Sequence, residues 1–179
     1  MKHINKAAKL KQIKLLLLDV DGVLTNGTII YDDNGGEIKT FNVRDGFGIR
    51  MLINSGIEVG IVTGRKSKAL HHRCNDLGIT DIFEHVRYKA SILDIIKEKK
   101  SILKSEIAFI GDDIPDISIM KEVGFSAVPF DGDPLVKTYA DWIIDKNGGD
   151  GVVREFSEAV LKAKGLWEEI ITKLITNTE

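Results

Sequence analysis

The sequence predicts an α/β fold in which helices cover both faces of a doubly wound, mostly parallel sheet. Short apolar segments without the alternation of a half-exposed strand are separated by helix-like segments, which is typical of βαβ units. The predicted strands lie at 13–18, 57–62, 106–110, 125–130 and 141–145. The predicted helices lie at 46–54, 67–77, 89–99, 116–123 and 151–164.

One segment, at 27–43, interrupts this alternation directly after the first strand. It contains the apolar stretches "TIIY" and "IKTFNV" around an Asn-Gly turn, a pattern that predicts a β-hairpin. The tail at 166–179 predicts a short amphipathic helix followed by a polar end. On length we expect a single domain over 1–179, with the hairpin as its insertion.

The composition excludes several classes of protein. The 25 basic and 27 acidic residues nearly cancel, so the overall charge indicates neither nucleic acid nor a membrane surface as a partner. The apolar run at 13–18 is too short to span a bilayer. A single cysteine, Cys74, cannot form an internal disulfide, which fits a reducing compartment. We expect a cytoplasmic protein.

Acidic and hydroxyl side chains follow three of the predicted strands, at the point where each strand ends. They are Asp19 and Asp21 in the first, Thr63 in the second, and Asp112, Asp113 and Asp116 in the third. The carboxyl ends of parallel strands meet at one edge of an open sheet, so we expect these groups to lie close together. Clustered carboxylates repel one another unless a cation lies among them, and oxygen ligands favour Mg²⁺. We therefore predict a Mg²⁺ ion held by Asp19, Asp112 and the backbone carbonyl of Asp21.

The order of these motifs resembles that of the haloacid dehalogenase superfamily of phosphohydrolases. The chain contains, in order, DxDGxxT, TGR, an isolated lysine and GDDxxD. Longer matches resemble the capless branch formed by the 3-deoxy-D-manno-octulosonate 8-phosphate phosphatases: "DVDGVLTNG", "FNVRDGFGIR", "VTGRKSKAL", "RCNDLGI", "FIGDDIPD" and "GGDGVVRE". The resemblance covers about residues 13–164. It implies a Rossmann-like core without a cap domain and a place in lipopolysaccharide precursor synthesis.

The resemblance also implies a role for each motif. Asp19 would be the nucleophile that forms an aspartyl-phosphate, and Asp21 would be the general acid and base. Thr63 and the Gly64 amide would hold the phosphoryl oxygens, and Lys89 would pair with both the phosphate and Asp19. The two remaining aspartates, Asp113 and Asp116, would orient the metal ligands without touching the metal.

The third motif departs from the family pattern. The family usually has a glycine near the position of His85, several residues before its lysine, and this chain reads "FEHVRYKAS" there. Lys89 is the residue we expect in the lysine role, and Arg87 is the alternative.

Candidate substrate-binding residues follow from the same resemblance. They are Asn42, Val43, Arg44, Asp45 and Gly46, which we expect to form a loop, "NVRDG", with Arg50, Gly64, Arg65, Arg73 and Lys89. Arginine suits a substrate that carries a carboxylate and a phosphate, because its planar fork binds such groups through two hydrogen bonds. The family substrate is an eight-carbon sugar acid phosphate. A nine-carbon sugar acid 9-phosphate is the alternative, and only the "NVRDG" segment separates the two.

In the family, the hairpins of four subunits pack together, and a neighbour helps to close each site. The resemblance therefore implies a homotetramer in which 148–155 or the C-terminal tail could reach a neighbouring site. A phospho-accepting receiver domain is a remoter alternative, since it too uses Mg²⁺ and an aspartyl-phosphate. The motif order argues against it, because its early acidic pair is adjacent and its accepting aspartate lies on a later strand.

Overall fold

The computed structural model describes residues 6–176. Its strands are β1 (Leu15–Leu18), β2 (Ile30–Tyr31), β3 (Glu37–Ile38), β4 (Glu58–Val62), β5 (Asp81–Phe83), β6 (Ile107–Ile110), β7 (Phe125–Pro129) and β8 (Trp142–Ile144). Its α-helices are α1 (Lys6–Gln12), α2 (Val43–Asn54), α3 (Lys68–Leu77), α4 (Ile92–Lys100), α5 (Ile117–Met120), α6 (Pro134–Lys137), α7 (Val152–Ala163) and α8 (Trp167–Thr176). Short 3₁₀ helices lie at Lys89–Ser91, Lys104–Glu106 and Ile114–Asp116.

The main sheet has six parallel strands in the order β5-β4-β1-β6-β7-β8, and β2 pairs with β3 in a separate antiparallel hairpin. The strand β1 therefore lies between β4 and β6: the chain adds β4 and β5 on one side of β1, then crosses to add β6, β7 and β8 on the other side. A crevice at the carboxyl ends of the strands forms where the strand order reverses in this way. The predicted α/β class is confirmed.

Packing on both faces of the sheet explains the run of four leucines in β1. Leu16 and Leu18 join a core cluster with residues of α1, α2, α3 and α7. Leu15 and Leu17 point to the opposite face, where the cluster includes residues of α4, α5 and α6. Because successive strand residues alternate between faces and both faces are covered, every position of β1 is apolar. None of the helices within 6–176 is long and apolar enough to cross a membrane.

Three of the α-helices and strands within 6–176 were not predicted from the sequence: α1, β5 and the four-residue helix α6. The helix α1 precedes the first strand, and its Leu10 is buried in the core. The strand β5 is only three residues long, lies at the edge of the sheet and is half-buried, so its apolar signal is weak. The predicted tail helix is present as α8, whereas the predicted polar end at 177–179 lies outside the described residues.

The predicted bounds of the hairpin, 27–43, are wrong at their C-terminal end. The strands β2 and β3 are two residues each, and Val43 already belongs to α2. Asn42 is the N-cap of this helix, since its side-chain oxygen accepts a hydrogen bond from the backbone N–H of Arg44 at 2.9 Å. A capping asparagine ends the extended segment because it satisfies a helix donor that would otherwise be unpaired.

The first turn of α2 also anchors α7. The carboxylate of Asp45 is 1% exposed and accepts hydrogen bonds from the backbone N–H groups of Arg154 at 2.8 Å and Gly151 at 3.3 Å. These groups lie at the N-terminus of α7, where backbone donors lack partners within the helix. Burial raises the pKa of Asp45, and the backbone N–H groups partly oppose that rise. Asp45 thus joins α2 to α7 through a buried polar contact.

We expect Asp45→Ala to lower the free energy of unfolding by about 1–3 kcal/mol, because the substitution leaves buried N–H groups without an acceptor. Chemical denaturation measures this change. Asp150→Ala is the control, since Asp150 is an exposed acid close to the same helix end; it should alter stability by less than about 0.5 kcal/mol. Equal stability of the two variants would contradict the anchoring role.

Candidate active site

Three carboxylates meet at the carboxyl edge of the sheet. Asp19 follows β1 and Asp112 follows β6, and the register of these strands pairs their last residues, Leu18 and Ile110. The backbone N–H of Asp19 donates to the carbonyl of Ile110 at 3.0 Å, so the pairing continues to the site. Oxygen atoms of Asp19, Asp112 and Asp116 all lie within 4.8 Å of one another. The predicted convergence of the two acidic motifs is present.

Two glycines permit this close approach. Gly22 has a left-handed φ of +87°, and a Cβ atom there would lie 2.0 Å from Oδ2 of Asp112. At Gly111, an added Cβ would lie 2.4 Å from Oδ2 of Asp116. Any larger residue would push these carboxylates out of place. The glycines of DxDG and GDD are therefore part of the geometry of the cluster.

The crowding of like charges alters the acidity of the cluster. Burial, with the nearby Asp116, raises the pKa of Asp19 to about 6, although Lys89 opposes that rise. Burial and the charges of Asp19, Asp116 and Asp113 raise the pKa of Asp112 to about 8. Like charges at this distance disfavour the ionised forms. Without a metal ion, the positive charge near Asp112 is therefore too small to stabilise its ionised form at neutral pH.

The cation that reaches the cluster is Lys89, which is 3% exposed. Its Nζ lies 3.0 Å from Oδ1 of Asp19 and also contacts Oδ1 of Asp116. Burial lowers the pKa of this ammonium, but the two carboxylates outweigh burial and raise it overall. Lys89 thus contacts the carboxylate of Asp19, as the resemblance implies for the third-motif lysine, and Arg87 makes no such contact.

Asp116 organises the loop that carries the other acids. Its Oδ2 accepts hydrogen bonds from the backbone N–H groups of Asp112 at 2.8 Å and Asp113 at 3.2 Å, while its Oδ1 contacts Lys89. Asp113 is exposed, and its side chain accepts from the N–H of Ile114 at 2.8 Å, which caps the 3₁₀ helix that follows. Both oxygens of Asp116 are thus engaged within the protein, as expected of a residue that positions metal ligands. This role stays a prediction.

The chemistry of the cluster fits a hard divalent cation. Oδ1 of Asp112 is buried and has no hydrogen-bond partner among the described residues. Lys89 supplies one positive charge to three carboxylates, and all available donors are oxygens, which favours Mg²⁺. The residues that would hold it are Asp19 and Asp112, with Asp21 on the same loop as Asp19.

The TGR motif forms the next wall of the site. Thr63 follows β4 and is buried, and its Oγ1 accepts a hydrogen bond from the N–H of Arg65 at 3.2 Å. The backbone N–H of Val86 donates to the carbonyl of Thr63 at 3.0 Å, so the segment after β5 lies against this motif. His85 adopts a left-handed φ of +56° there. A glycine suits such a turn better than histidine does, which gives a physical reason for the family glycine near this position.

The hairpin contributes two charged residues that the sequence analysis did not single out, Glu37 and Lys39. The side chain of Lys39 is 2% exposed, and its ammonium contacts Oδ1 of Asp21 and lies 2.9 Å from Glu37. Arg65 joins the same network, with its guanidinium 2.7 Å from Glu37 and 3.5 Å from Asp21. Glu37 and Lys39 are two positions apart and share one face of the strand. Two charged residues at this spacing in a predicted hairpin strand were the sequence signal from which their contact with the site could have been predicted.

These groups surround a cavity of about 470 Å³. Its lining residues are Asp19, Asp21, Gly27, Thr63, Gly64, Arg65, Val86, Arg87, Lys89, Asp112, Asp113, Pro115 and Asp116. The catalytic and metal candidates from the sequence are all among them, as are the substrate candidates Gly64, Arg65 and Lys89.

The other substrate candidates are not among the residues that line this cavity. They are Asn42, Val43, Arg44, Asp45, Gly46, Arg50 and Arg73. "NVRDG" is not a free loop: it spans the cap and first turn of α2, and Asp45 is bonded to α7. Arg50 donates to the carbonyl of Asp76 at 3.1 Å, and Arg73 donates to the carbonyl of Asn42 at 3.3 Å. Their role in substrate binding stays a prediction.

The segment 148–151 packs on its own chain. Built Cβ atoms on Gly148 and Gly149 would come within 1.9 Å and 2.7 Å of the backbone at Gly22 and Thr25, and the N–H of Gly149 donates to the carbonyl of Val23 at 2.9 Å. The lack of side chains at the two glycines therefore allows this loop to pack closely against the backbone of the DxDGxxT motif.

Known proteins share both this sequence and this fold. A model of the haloacid dehalogenase-like hydrolases matches residues 79–156. Over 162 residues, the chain is 44% identical to the 3-deoxy-D-manno-octulosonate 8-phosphate phosphatase KdsC of Escherichia coli (strain K12), covering 90% of this chain and 86% of that one. A crystal structure of the Moraxella catarrhalis phosphatase, in complex with magnesium ion, phosphate ion and a KDO molecule, is 39% identical, with a TM-score of 0.93 over 96% of this chain and 99% of that one. The cobalt-bound Haemophilus influenzae phosphatase is 38% identical, with a TM-score of 0.85 over 89% of this chain and 93% of that one.

The acid cluster predicts how pH and Mg²⁺ together affect stability. The pKa of Asp112 is about 8 in the folded protein and about 3.9 in an unfolded chain. The folded state then holds the proton more tightly, so the metal-free protein loses stability as pH rises from about 4 to about 8. Saturating Mg²⁺ should raise Tm by about 5–10 °C near pH 8, and by clearly less near pH 5.5.

Thermal unfolding with Mg²⁺ and with a chelator measures this effect. Asp112→Asn should lose most of the Mg²⁺-dependent rise in Tm, whereas Asp94→Asn, an exposed acid on α4, should keep it. A rise in Tm that is the same at both pH values and in both variants would place Mg²⁺ elsewhere.

Proposed function

The chain belongs to the 3-deoxy-D-manno-octulosonate 8-phosphate phosphatase family of haloacid dehalogenase-like hydrolases, and we propose that it hydrolyses this sugar acid phosphate with the help of Mg²⁺. One observation carries the proposal. The carboxylate of Asp19 lies at the cavity beside the buried ammonium of Lys89 and the underpaired carboxylate of Asp112. Such a group of charges suits a nucleophile that must approach an anionic phosphoryl group.

In the first step, a carboxylate oxygen of Asp19 attacks phosphorus. The new bond joins Asp19 to phosphorus while the bond from phosphorus to the sugar oxygen breaks. Asp21 lines the same cavity and donates the proton that the leaving sugar oxygen takes up. The products of this step are the free sugar acid and an aspartyl-phosphate on Asp19.

In the second step, water hydrolyses the aspartyl-phosphate. Asp21, now ionised, removes a proton from the water as its oxygen attacks phosphorus, and the bond to Asp19 breaks. Inorganic phosphate leaves, and both carboxylates return to their starting states. Lys39 and Arg65 both contact the carboxyl group of Asp21 and so position it at the cavity.

Charge neutralisation is the main demand of phosphoryl transfer. Lys89 faces Asp19 and supplies a fixed positive charge at the reacting group. Thr63 and Gly64 also line the cavity, and the Thr63 hydroxyl and the Gly64 backbone N–H would donate hydrogen bonds to the phosphoryl oxygens. Mg²⁺, held by Asp19, Asp112 and the carbonyl of Asp21, would neutralise phosphoryl charge and reduce repulsion of the incoming anion.

We further propose that the chain acts as a homotetramer built on its hairpins, without a cap domain. The outward face of the hairpin carries Ile30 and Ile38, which pair across the two strands and are exposed at 44% and 51%. Such a surface favours burial against another subunit. The lack of any disulfide framework, with Cys74 alone, supports action in the cytoplasm.

Phosphate release tests the proposed function directly. With Mg²⁺, the wild type should prefer 3-deoxy-D-manno-octulosonate 8-phosphate over a nine-carbon sugar acid 9-phosphate and over p-nitrophenyl phosphate. A chelator should abolish turnover. Asp19→Asn should abolish turnover of every substrate, and Asp21→Asn should lower kcat by about 10²–10⁴-fold because it removes the general acid. Full activity of Asp19→Asn would refute the mechanism.

The hairpin network predicts a separate effect on kcat. Lys39→Met should lower kcat by about 10–100-fold with little change in KM, because Asp21 loses the ammonium that positions it. Lys39→Arg should restore part of the loss, since a guanidinium can bridge the same two carboxylates. Lys99→Met removes an exposed charge on α4 and serves as the control. Steady-state kinetics would contradict this role if Lys39→Met raised only KM.

A further inference from the structure

Arg87 is distinguished from the other cations of the cavity by the charges around it. Within residues 6–176, the cations that line the cavity are Arg65, Arg87 and Lys89. Lys89 is paired with Asp19 and Asp116, and Arg65 is paired with Asp21 and Glu37. No hydrogen bond or ion pair joins Arg87 to any described residue. It is therefore the cavity-lining cation that remains available to an anionic ligand.

The backbone holds Arg87 at the rim of the cavity. The N–H of Val86 donates to the carbonyl of Thr63, which ties this segment to the TGR motif. A Cβ atom on Gly64 would lie 3.8 Å from the carbonyl oxygen of Val86, so Gly64 and the segment are in contact. The left-handed turn at His85 directs the chain into this position. Val86 thus lies against Gly64, and the next residue, Arg87, is exposed at the rim, whereas Lys89 is buried.

We propose that Arg87 binds the carboxylate of the substrate and so selects sugar acids among phosphate esters. The inference rests on the proposed function, because it assumes a substrate with a carboxylate and a phosphate at opposite ends. Lys89 is buried against Asp19 at the reacting end, so the phosphoryl group belongs there. The carboxylate then lies toward the cavity mouth, where a guanidinium offers it two parallel hydrogen bonds.

The charges of the cavity support this assignment. Five aspartates line the cavity, and they repel a carboxylate unless a cation meets it. Arg65 could do so only by giving up its contacts with Asp21 and Glu37. Arg87 has no such contacts to lose, so its positive charge is fully available to the substrate.

Steady-state kinetics of Arg87→Gln with two substrates test the proposal. With 3-deoxy-D-manno-octulosonate 8-phosphate, kcat/KM should fall roughly 10–100-fold, mainly through KM, since a charge-assisted hydrogen bond is lost. With p-nitrophenyl phosphate, which has no carboxylate, kcat/KM should stay within about twofold. Free 3-deoxy-D-manno-octulosonate should inhibit the variant more weakly than it inhibits the wild type. Arg87→Lys should recover only part of the lost kcat/KM, because an ammonium lacks the planar fork.

Lys97→Gln is the matched control, because Lys97 is an exposed cation on α4 that does not line the cavity. An equal loss on both substrates would show that Arg87 contacts the phosphate instead and would overturn the proposal. So would unchanged kinetics on the sugar acid phosphate. If the wild type itself failed to prefer that substrate, the proposed function would fail, and with it the premise of this inference.

Discussion

The repulsion among Asp19, Asp112 and Asp116 is the constraint on which the rest of the site depends. Parallel pairing of β1 with β6 brings their acidic ends together, and the glycines at 22 and 111 leave room for Asp112 and Asp116, because a Cβ atom at either position would clash with one of these carboxylates. A fold selected for stability alone would avoid this arrangement, since it raises the pKa of two carboxylates. One buried lysine offsets part of the repulsion, and a divalent cation is the simplest means of offsetting the remainder.

The hairpin places a positive charge next to the other aspartate of the DxD motif, Asp21. Glu37 of β3 and Lys39, one residue beyond this strand, contact groups of the site, whereas Ile38 between them faces outward and is half exposed. This is the reverse of the usual arrangement, in which the apolar face of a strand is buried and the polar face is in solvent. Charges therefore attach the hairpin to the site, and its apolar face remains free for another chain. The alternation of charged and apolar residues along this segment thus positions Asp21 on one face and leaves an apolar face for the proposed subunit contact on the other.

The sequence predicted the parts of the fold and site that depend on local pattern. Continuous apolar strands such as β1, and acids at strand ends such as Asp19 and Asp112, were found because each is a short, strong signal. The edge strand β5 was missed because it is short and half-buried. The contact of Lys39 with Asp21 could not be predicted from the sequence pattern, since it depends on how the hairpin folds back over the site. "NVRDG" was interpreted as a loop because the capping bond of Asn42 and the long-range bonds of Asp45 are not visible in sequence.

The placement of "NVRDG" has a consequence for substrate recognition. Asn42 and Asp45 are occupied by capping bonds within the chain, so neither side chain is free to contact a ligand in the cavity without breaking a helix end. Recognition within one subunit then falls to residues of the cavity rim. The segment at 85–88 forms part of that rim, and it is where this chain departs from the family pattern in sequence and adopts a left-handed turn in structure. Because the reacting end and the selecting end are supplied by different segments, a change of sequence at the rim would alter which sugar acid is bound without altering the acid cluster.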